Sequence, residues 1–356
     1  MKAAVLHGPG DLRIEDIPDP QPGPGELLLR VETVGICGSD LAEFDHGPVL
    51  TPLHDRHPIT GHLGPIVLGH EFSGVVELSR SDQFASGDLV ACAAAVSCGV
   101  CRSCVSGRMG ACRSYWAVGL HRDGGMAEYC IVPASTCVRA DGLTADAAAL
   151  AQPMAIASHA VRRSRLTPDE TALVIGVGGI GTFIAHLVAT TGATLIASDL
   201  DRGRLEVARR LGVEHTIEAG PEVDLAAELV ERGTVPDVVF EVTGTSAGLA
   251  AAQAALAPGT RMVAVGIQRQ QTELDLRHLT LSEHEIIGTN ALDIATDLPP
   301  AVKALRDGAA LWADLAPIVE PIETLVSSGL HGTGSPPPIK TLTSPQIERT
   351  RRSMMM

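Results

Sequence analysis

Thr171-Ala172-Leu173-Val174-Ile175-Gly176-Val177-Gly178-Gly179-Ile180-Gly181 is the stretch on which the fold turns. A short apolar run of strand type leads directly into a G-x-G-x-x-G pattern that opens a helix. Gly176 permits the tight turn, Gly178 lets a pyrophosphate approach the backbone, and Gly181 lets the helix pack on the strand. The free N–H groups at the helix start, around Gly179 and Ile180, face such a phosphate with the positive end of the helix dipole. Asp199 follows 18 residues after Gly181, at the end of the next apolar run. A carboxylate there accepts hydrogen bonds from the ribose hydroxyls of NAD and repels the 2′-phosphate of NADP. Arg202 and Arg204 lie close by and pull the other way, since arginine suits a 2′-phosphate. Arg204 therefore joins Gly176, Gly178, Gly179, Ile180, Gly181 and Asp199 as a candidate cofactor contact. The competing reading is an ordinary glycine-rich turn in a βαβ unit.

Downstream, apolar runs recur at 194–198, 214–217, 237–241, 261–265 and 285–289. Helical segments separate most of them, such as Arg202–Leu211 closed by Gly212. Six strands in this alternation predict a Rossmann-type, doubly wound parallel sheet, an α/β architecture. Upstream, residues 1 to about 140 are rich in glycine and proline, with short β-type runs at 27–31 and 72–76, which predicts a compact, mostly β domain. An alanine-rich helix is predicted from Thr144, its N-cap, to about Arg165. The expected division is 1–154, 155–291 and 292–356, and the family resemblance drawn below implies that the last part returns to the first domain. Short helices and Pro336-Pro337-Pro338 mark that last part, and the tail from Ser344 to Met356 is expected to be loose.

The chain has 356 residues, 45% of them hydrophobic, enough for two sizeable cores. A net charge of −15 excludes a nucleic-acid partner of the usual basic kind. No uncharged apolar run is long enough for a membrane span, and no apolar leader is visible, so no membrane partner and a cytoplasmic location are expected. Only three lysines occur, Lys2, Lys303 and Lys340, a compositional bias read without functional content.

All eight cysteines lie within the first 137 residues. Cys98, Cys101, Cys104 and Cys112 fall within 15 residues, in a lobe spanning about 92–115. Their short spacings aim four thiolates at one tetrahedral centre and leave no open position, which describes a structural zinc. An iron–sulfur centre or unpaired thiols are the alternatives. Cys92, Cys130 and Cys137, in apolar surroundings, read as ordinary buried cysteines. Cys37, in GICGSD, and His70, in GHE, both follow β-type runs. Thiolate plus imidazole from two converging loops suits Zn²⁺.

These elements together resemble the zinc-dependent medium-chain alcohol dehydrogenases over nearly the whole chain. GDLRIEDIPDPQPGPGE, HPITGHLGPIVLGHEFSG, HAVRRSRL and FEVTG narrow the resemblance to members similar to 2,3-butanediol and sorbitol dehydrogenases. The resemblance implies a GroES-like, mostly β catalytic domain beside the Rossmann domain. It implies two Zn²⁺ per chain, one catalytic and one structural, with NAD, a small alcohol or ketone as partner, and a homodimer or homotetramer built on the sheet edge at 285–296. Carried over by residue, Cys37 and His70 ligate the catalytic zinc, and Glu71 is a third ligand or exchanges with water there. Asp40 accepts from the second nitrogen of His70. Ser39 contacts the alcohol oxygen and passes on its proton.

Two positions depart from the pattern. Gln152 stands where the family usually has glutamate near the zinc; an amide oxygen can still ligate, with one negative charge fewer. Ala42 stands where relatives often carry a proton-relay histidine, leaving Glu43, Asp45 or His46 as substitutes. His54, His57 and His62 are candidate substrate contacts, with solvated loop histidines the favoured reading. A protein that binds zinc and nucleotide without turnover is the alternative to an enzyme.

Overall fold

The computed structural model describes residues 1–220, 222–268, 270–315, 319–328, 330 and 339–346. Pro336-Pro337-Pro338 and the tail beyond Gln346 lie outside the described residues. The chain divides into two compact units, Met1–Ala155 with Leu292–Met356, and Ile156–Ala291.

The second unit is a six-stranded parallel sheet. Its strands are Thr171–Ile175, Thr194–Asp199, His215–Glu218, Val238–Glu241, Arg261–Ala264 and Glu285–Gly288. In space, 171–175 is flanked by 194–199 and 238–241, with 215–218 and 285–288 at the two edges. The order therefore reverses between 171–175 and 238–241, the crevice where doubly wound sheets bind ligands. The interior strands are buried on both faces, as near-continuous apolar runs require.

The first unit is the GroES-like part. Its main sheet runs from the edge strand Cys137–Arg139 through Leu89–Cys92, Glu71–Ser79 and Glu26–Gly35 to Leu342–Ser344 and Val319–Pro321. Tyr129–Pro133 also pairs with Glu26–Gly35. Alternate residues Leu27, Leu29 and Val31 point into a core shared with Phe72, Val76, Val90 and Val132. The strand at 342–344 shows the last segment returning to this sheet, antiparallel to Glu26–Gly35.

The helix predicted from Thr144 is two helices, Ala145–Ala149 and Ala151–Ser164. Thr144 caps the first, accepting from the Ala147 N–H at 3.2 Å. Leu150 closes it at φ −78°, ψ −6°, which weakens the continuous ladder that alanine content favours. Among the described residues no helix is long and apolar enough to cross a membrane.

Candidate active site

Three distant segments meet at the end of one strand. Gly35, the last residue of Glu26–Gly35, sits opposite Glu71 on one side and Leu342 on the other. The next residues therefore bring Cys37, His70, Glu71 and Lys340 together. The ligand atoms of Cys37, His70 and Glu71 lie within 4.8 Å of one another. A Cβ on Gly35 would stand 2.7 Å from Glu71 Oε2, so a larger residue there would displace that carboxylate.

Cys37 is the N-cap of the helix Gly38–His46, and the buried Asp40 Oδ2 accepts from its N–H at 2.8 Å. Asp40 Oδ1 faces His70 Nδ1 at 3.4 Å, an ion-pair approach without a well-formed hydrogen bond. This carboxylate favours a proton on Nδ1, leaving Nε2 to face Ser39 Oγ at 3.3 Å. Burial opposes a charge on His70, but Asp40 and Cys37 outweigh it and raise the ring well above its ordinary value.

Lys340 makes a contact that sequence reasoning missed. Its ammonium donates to Glu71 Oε1 at 2.7 Å, with both side chains buried. Burial opposes its charge, but Glu71 and Cys37 hold it above the ordinary lysine value. Lysine is rare in this chain, yet only the register at Gly35 reveals the partner of this one. Glu71 Oε2 and Gln152 Oε1 are buried without hydrogen-bond partners. Orphaned carboxylate oxygen beside thiolate and imidazole is the donor set a zinc ion satisfies.

Glu43 is not available as a relay base. Its buried carboxylate accepts from the Val49 N–H at 3.0 Å, the Leu50 N–H and the Thr51 hydroxyl at 2.6 Å. It holds the loop after the helix in place, while Asp45 and His46 are exposed on that helix. His54 is exposed. His62 Nε2 meets the Pro65 carbonyl at 3.1 Å. His57 folds back, its Nδ1 accepting from the Thr60 N–H at 3.1 Å and its ring 4.6 Å from that of His121. Burial pushes His121 down to about 4.

The four-cysteine lobe forms a second cluster with all four ligand atoms within 4.8 Å. Cys101–Cys104 and Cys98–Cys112 sulfurs lie 3.5 Å apart, Cys101–Cys112 3.8 Å and Cys98–Cys104 4.0 Å. A tetrahedral ion with Zn–S near 2.3 Å spaces sulfurs about 3.8 Å apart. N–H groups of Cys98 and Ser114 point at Cys112 Sγ. Hydrogen bonding from the Cys104 backbone holds Cys101 down to about 6, and burial pushes Cys104 up to about 11.

In the second unit, Gly178 caps the helix Gly179–Ala189, so the N–H groups at Gly179 and Ile180 open at the crevice. Gly176 takes φ +89°, a left-handed conformation that glycine adopts freely. Asp199 is buried; Oδ2 accepts from the Val177 N–H at 2.8 Å and Oδ1 from the Asp201 N–H at 2.9 Å. Arg204 Nη1 stands 3.8 Å from Oδ1, while Arg202 pairs with Glu218. Across the crevice the buried Glu241 accepts from the N–H groups of Thr243 and Gly244 and from Gln268. The sequence signal for it was FEVTG, quoted above without a role.

Residues 23–142 match the family described as alcohol dehydrogenase GroES-like domain, and 179–307 match zinc-binding dehydrogenase. The chain belongs to the zinc-dependent medium-chain alcohol dehydrogenases. Sorbitol dehydrogenase of Bacillus subtilis is 32% identical over 86% of this chain and 86% of its own. (R,R)-butanediol dehydrogenase of Neisseria gonorrhoeae is 32% identical over 93% of this chain and 95% of its own. The crystal structure of 2R,3R-butanediol dehydrogenase from Bacillus subtilis superposes with a TM-score of 0.87, at 29% identity over 97% of this chain and 99% of that one. This dehydrogenase is therefore an NAD-linked oxidoreductase that transfers a hydride to or from an alcohol or polyol, with two clusters suited to a catalytic and a structural metal.

Proposed function

We propose that this dehydrogenase interconverts a secondary alcohol of the vicinal diol, polyol or cyclitol class with its ketone, using NAD and two Zn²⁺ per chain. The convergence of Cys37, His70 and Glu71, with Glu71 Oε2 buried and unpartnered, carries the reading. The sorbitol and butanediol substrates in the relatives' names support the substrate class.

Cys37, His70 and Glu71 would hold the catalytic metal, with Gln152 Oε1 as a further donor, and Cys98, Cys101, Cys104 and Cys112 would hold the structural one. The catalytic zinc supplies Lewis acidity toward the alcohol oxygen. Asp40 fixes the tautomer of His70. Ser39 Oγ takes the hydroxyl proton while passing on its own. Glu43 is committed to its loop and Ala42 carries no base, so the proton leaves the half-buried Ser39 for water. NAD, when bound, would supply the acceptor for the hydride from the carbinol carbon. The loop from Gly176 to Gly181 would hold the pyrophosphate, and Asp199 the ribose, with Arg204 beside it.

Asp199→Ala should raise KM for NAD by about 10- to 100-fold, the loss of charge-assisted hydrogen bonds, and narrow the preference over NADP. An unchanged KM for NAD removes Asp199 from the ribose site. Gln152→Glu adds a carboxylate near the metal, which disfavours proton loss from the alcohol. The pH profile for oxidation should move up by about one unit. A profile that stays in place would mean that this side chain does not tune the metal.

We further infer a homodimer or homotetramer built on the edge strand 285–288, whose Ile286 is exposed at 39%. A cytoplasmic location fits the four-thiol cluster and the Cys37 ligand, which need reduced cysteines. Elemental analysis of purified protein, with NADH formation across diols, polyols and cyclitols, tests the main reading. Two zincs per chain with turnover on one class are expected. One zinc and no turnover overturns it.

A further inference from the structure

We propose that Cys92 and Cys137 are a redox pair that closes into a cross-strand disulfide when the protein meets a peroxide. Both thiols are buried in the first unit, outside the two metal clusters. Cys92 ends the strand Leu89–Cys92, and Cys137 begins the edge strand Cys137–Arg139. The two stand directly opposite in an antiparallel register. The neighbouring pairs Ala93/Thr136 and Leu89/Ala140 carry the hydrogen bonds, Ala93 N–H to Thr136 O and Ala140 N–H to Leu89 O, each 2.9 Å. Bonded and non-bonded pairs alternate along such a ladder, so Cys92/Cys137 falls at a non-bonded position. Cα atoms there lie about 4.5 Å apart with side chains on one face, at the near end of the disulfide range of about 4.4–6.8 Å. Thr136 Oγ1 touches both sulfurs, at 3.6 Å from Cys92 Sγ and 3.9 Å from Cys137 Sγ.

The pair is also chemically asymmetric. Burial opposes ionisation of Cys92, but hydrogen bonds from Cys137, Thr136 and the Ala94 N–H outweigh it and lower its pKa. Cys137, donating to Cys92, is pushed well above the ordinary thiol value. The Ala94 N–H, 3.4 Å from Cys92 Sγ, favours negative charge on that sulfur, which assigns Cys92 as the attacking thiolate and Cys137 as the resolving thiol. Cys92 thiolate and hydrogen peroxide give the Cys92 sulfenic acid and hydroxide. The Cys137 thiol then displaces that hydroxyl, forming the S–S bond and releasing water. The two cysteines lose two electrons, and the peroxide is reduced to water. Access comes through the sheet edge, because a strand of three residues opens locally at low cost. Cys130 is buried on another strand, with its sulfur near the Asp123 and Ile131 carbonyls, and has no place opposite either thiol.

The closed loop encloses the whole four-cysteine lobe, so the bond would staple the base of that excursion. The test treats metal-loaded protein with hydrogen peroxide and maps disulfides by mass spectrometry under non-reducing conditions. A species two hydrogens lighter, linked between Cys92 and Cys137, is expected. Its thermal midpoint should rise by about 5 °C, from loop closure, and return on reduction. The linkage should persist in Cys130→Ala and vanish in Cys137→Ala. Linkages confined to the four-cysteine lobe, or retention of both thiols after the lobe has oxidised, overturn the proposal. The wild-type map decides the matter even if a variant fails to fold.

Discussion

Gly181→Ala should weaken NAD binding by about 100-fold and destabilise the nucleotide unit. A Cβ at this position would overlap the carbonyl oxygen of Gly176. Neither backbone has room to retreat. The Gly176 N–H is tied to the Ser198 carbonyl at 2.8 Å, and a side chain's width away stands Thr243. Thr243 is itself held by Glu241, through its N–H at 2.8 Å and its hydroxyl at 2.5 Å. The added methyl therefore pushes against the first and fourth strands of the sheet at once. Overpacking of this kind costs about 1–3 kcal/mol. The larger effect is on binding, because a displacement of about 1 Å in a positioning loop costs about 100-fold. NADH fluorescence titration, with thermal unfolding as companion, measures both. Wild-type affinity in a folded variant would mean that the loop does not hold the cofactor.

Lys340→Met should cost the metal-free protein about 3–5 kcal/mol, the usual penalty for removing one partner from a buried ion pair. Glu71 is fully buried, and Lys340 pairs with its Oε1 at 2.7 Å. Without the ammonium, the carboxylate must stay charged in a site that also holds Asp40 and Cys37, or take up a proton. Zinc bound through Oε2 returns a positive charge to the same place, so the loaded variant should lose far less stability. Denaturant unfolding with and without chelator reads the difference. Equal losses in both states would separate Glu71 from the metal. Equal stability to the parent in both states would show that the ion pair contributes nothing.

Much of the fold is legible in the sequence because its signals are local. The loop 176–181 follows its strand directly, and Asp199 ends the next one. Thr144 caps a helix through an N–H three residues on. The four thiols of the lobe sit within one excursion of the chain, so their spacing already confines them to a common centre. These features depend on turn chemistry and hydrophobic period, which act over a few residues. The break at Leu150 was missed, because alanine content argues for a continuous helix and carries no trace of the packing that interrupts it.

In the catalytic cluster, GICGSD and GHE are unremarkable singly; thiolate plus imidazole suggests zinc, and the family resemblance supplies Glu71, Asp40 and Ser39. Glu43 shows the limit most clearly. As a sequence position it was a candidate base; in the fold it is the anchor of the loop at 49–51, because three donors converge on its carboxylate. What the sequence by itself determined is the doubly wound sheet, its nucleotide loop and the four-thiol lobe. Only the tertiary structure decided that Gly35 stands between Glu71 and Leu342, that Lys340 pairs with a residue 269 positions away, and that Cys92 faces Cys137. Those outcomes depend on strand register, which is set by the burial of whole sheet faces rather than by any neighbouring residue.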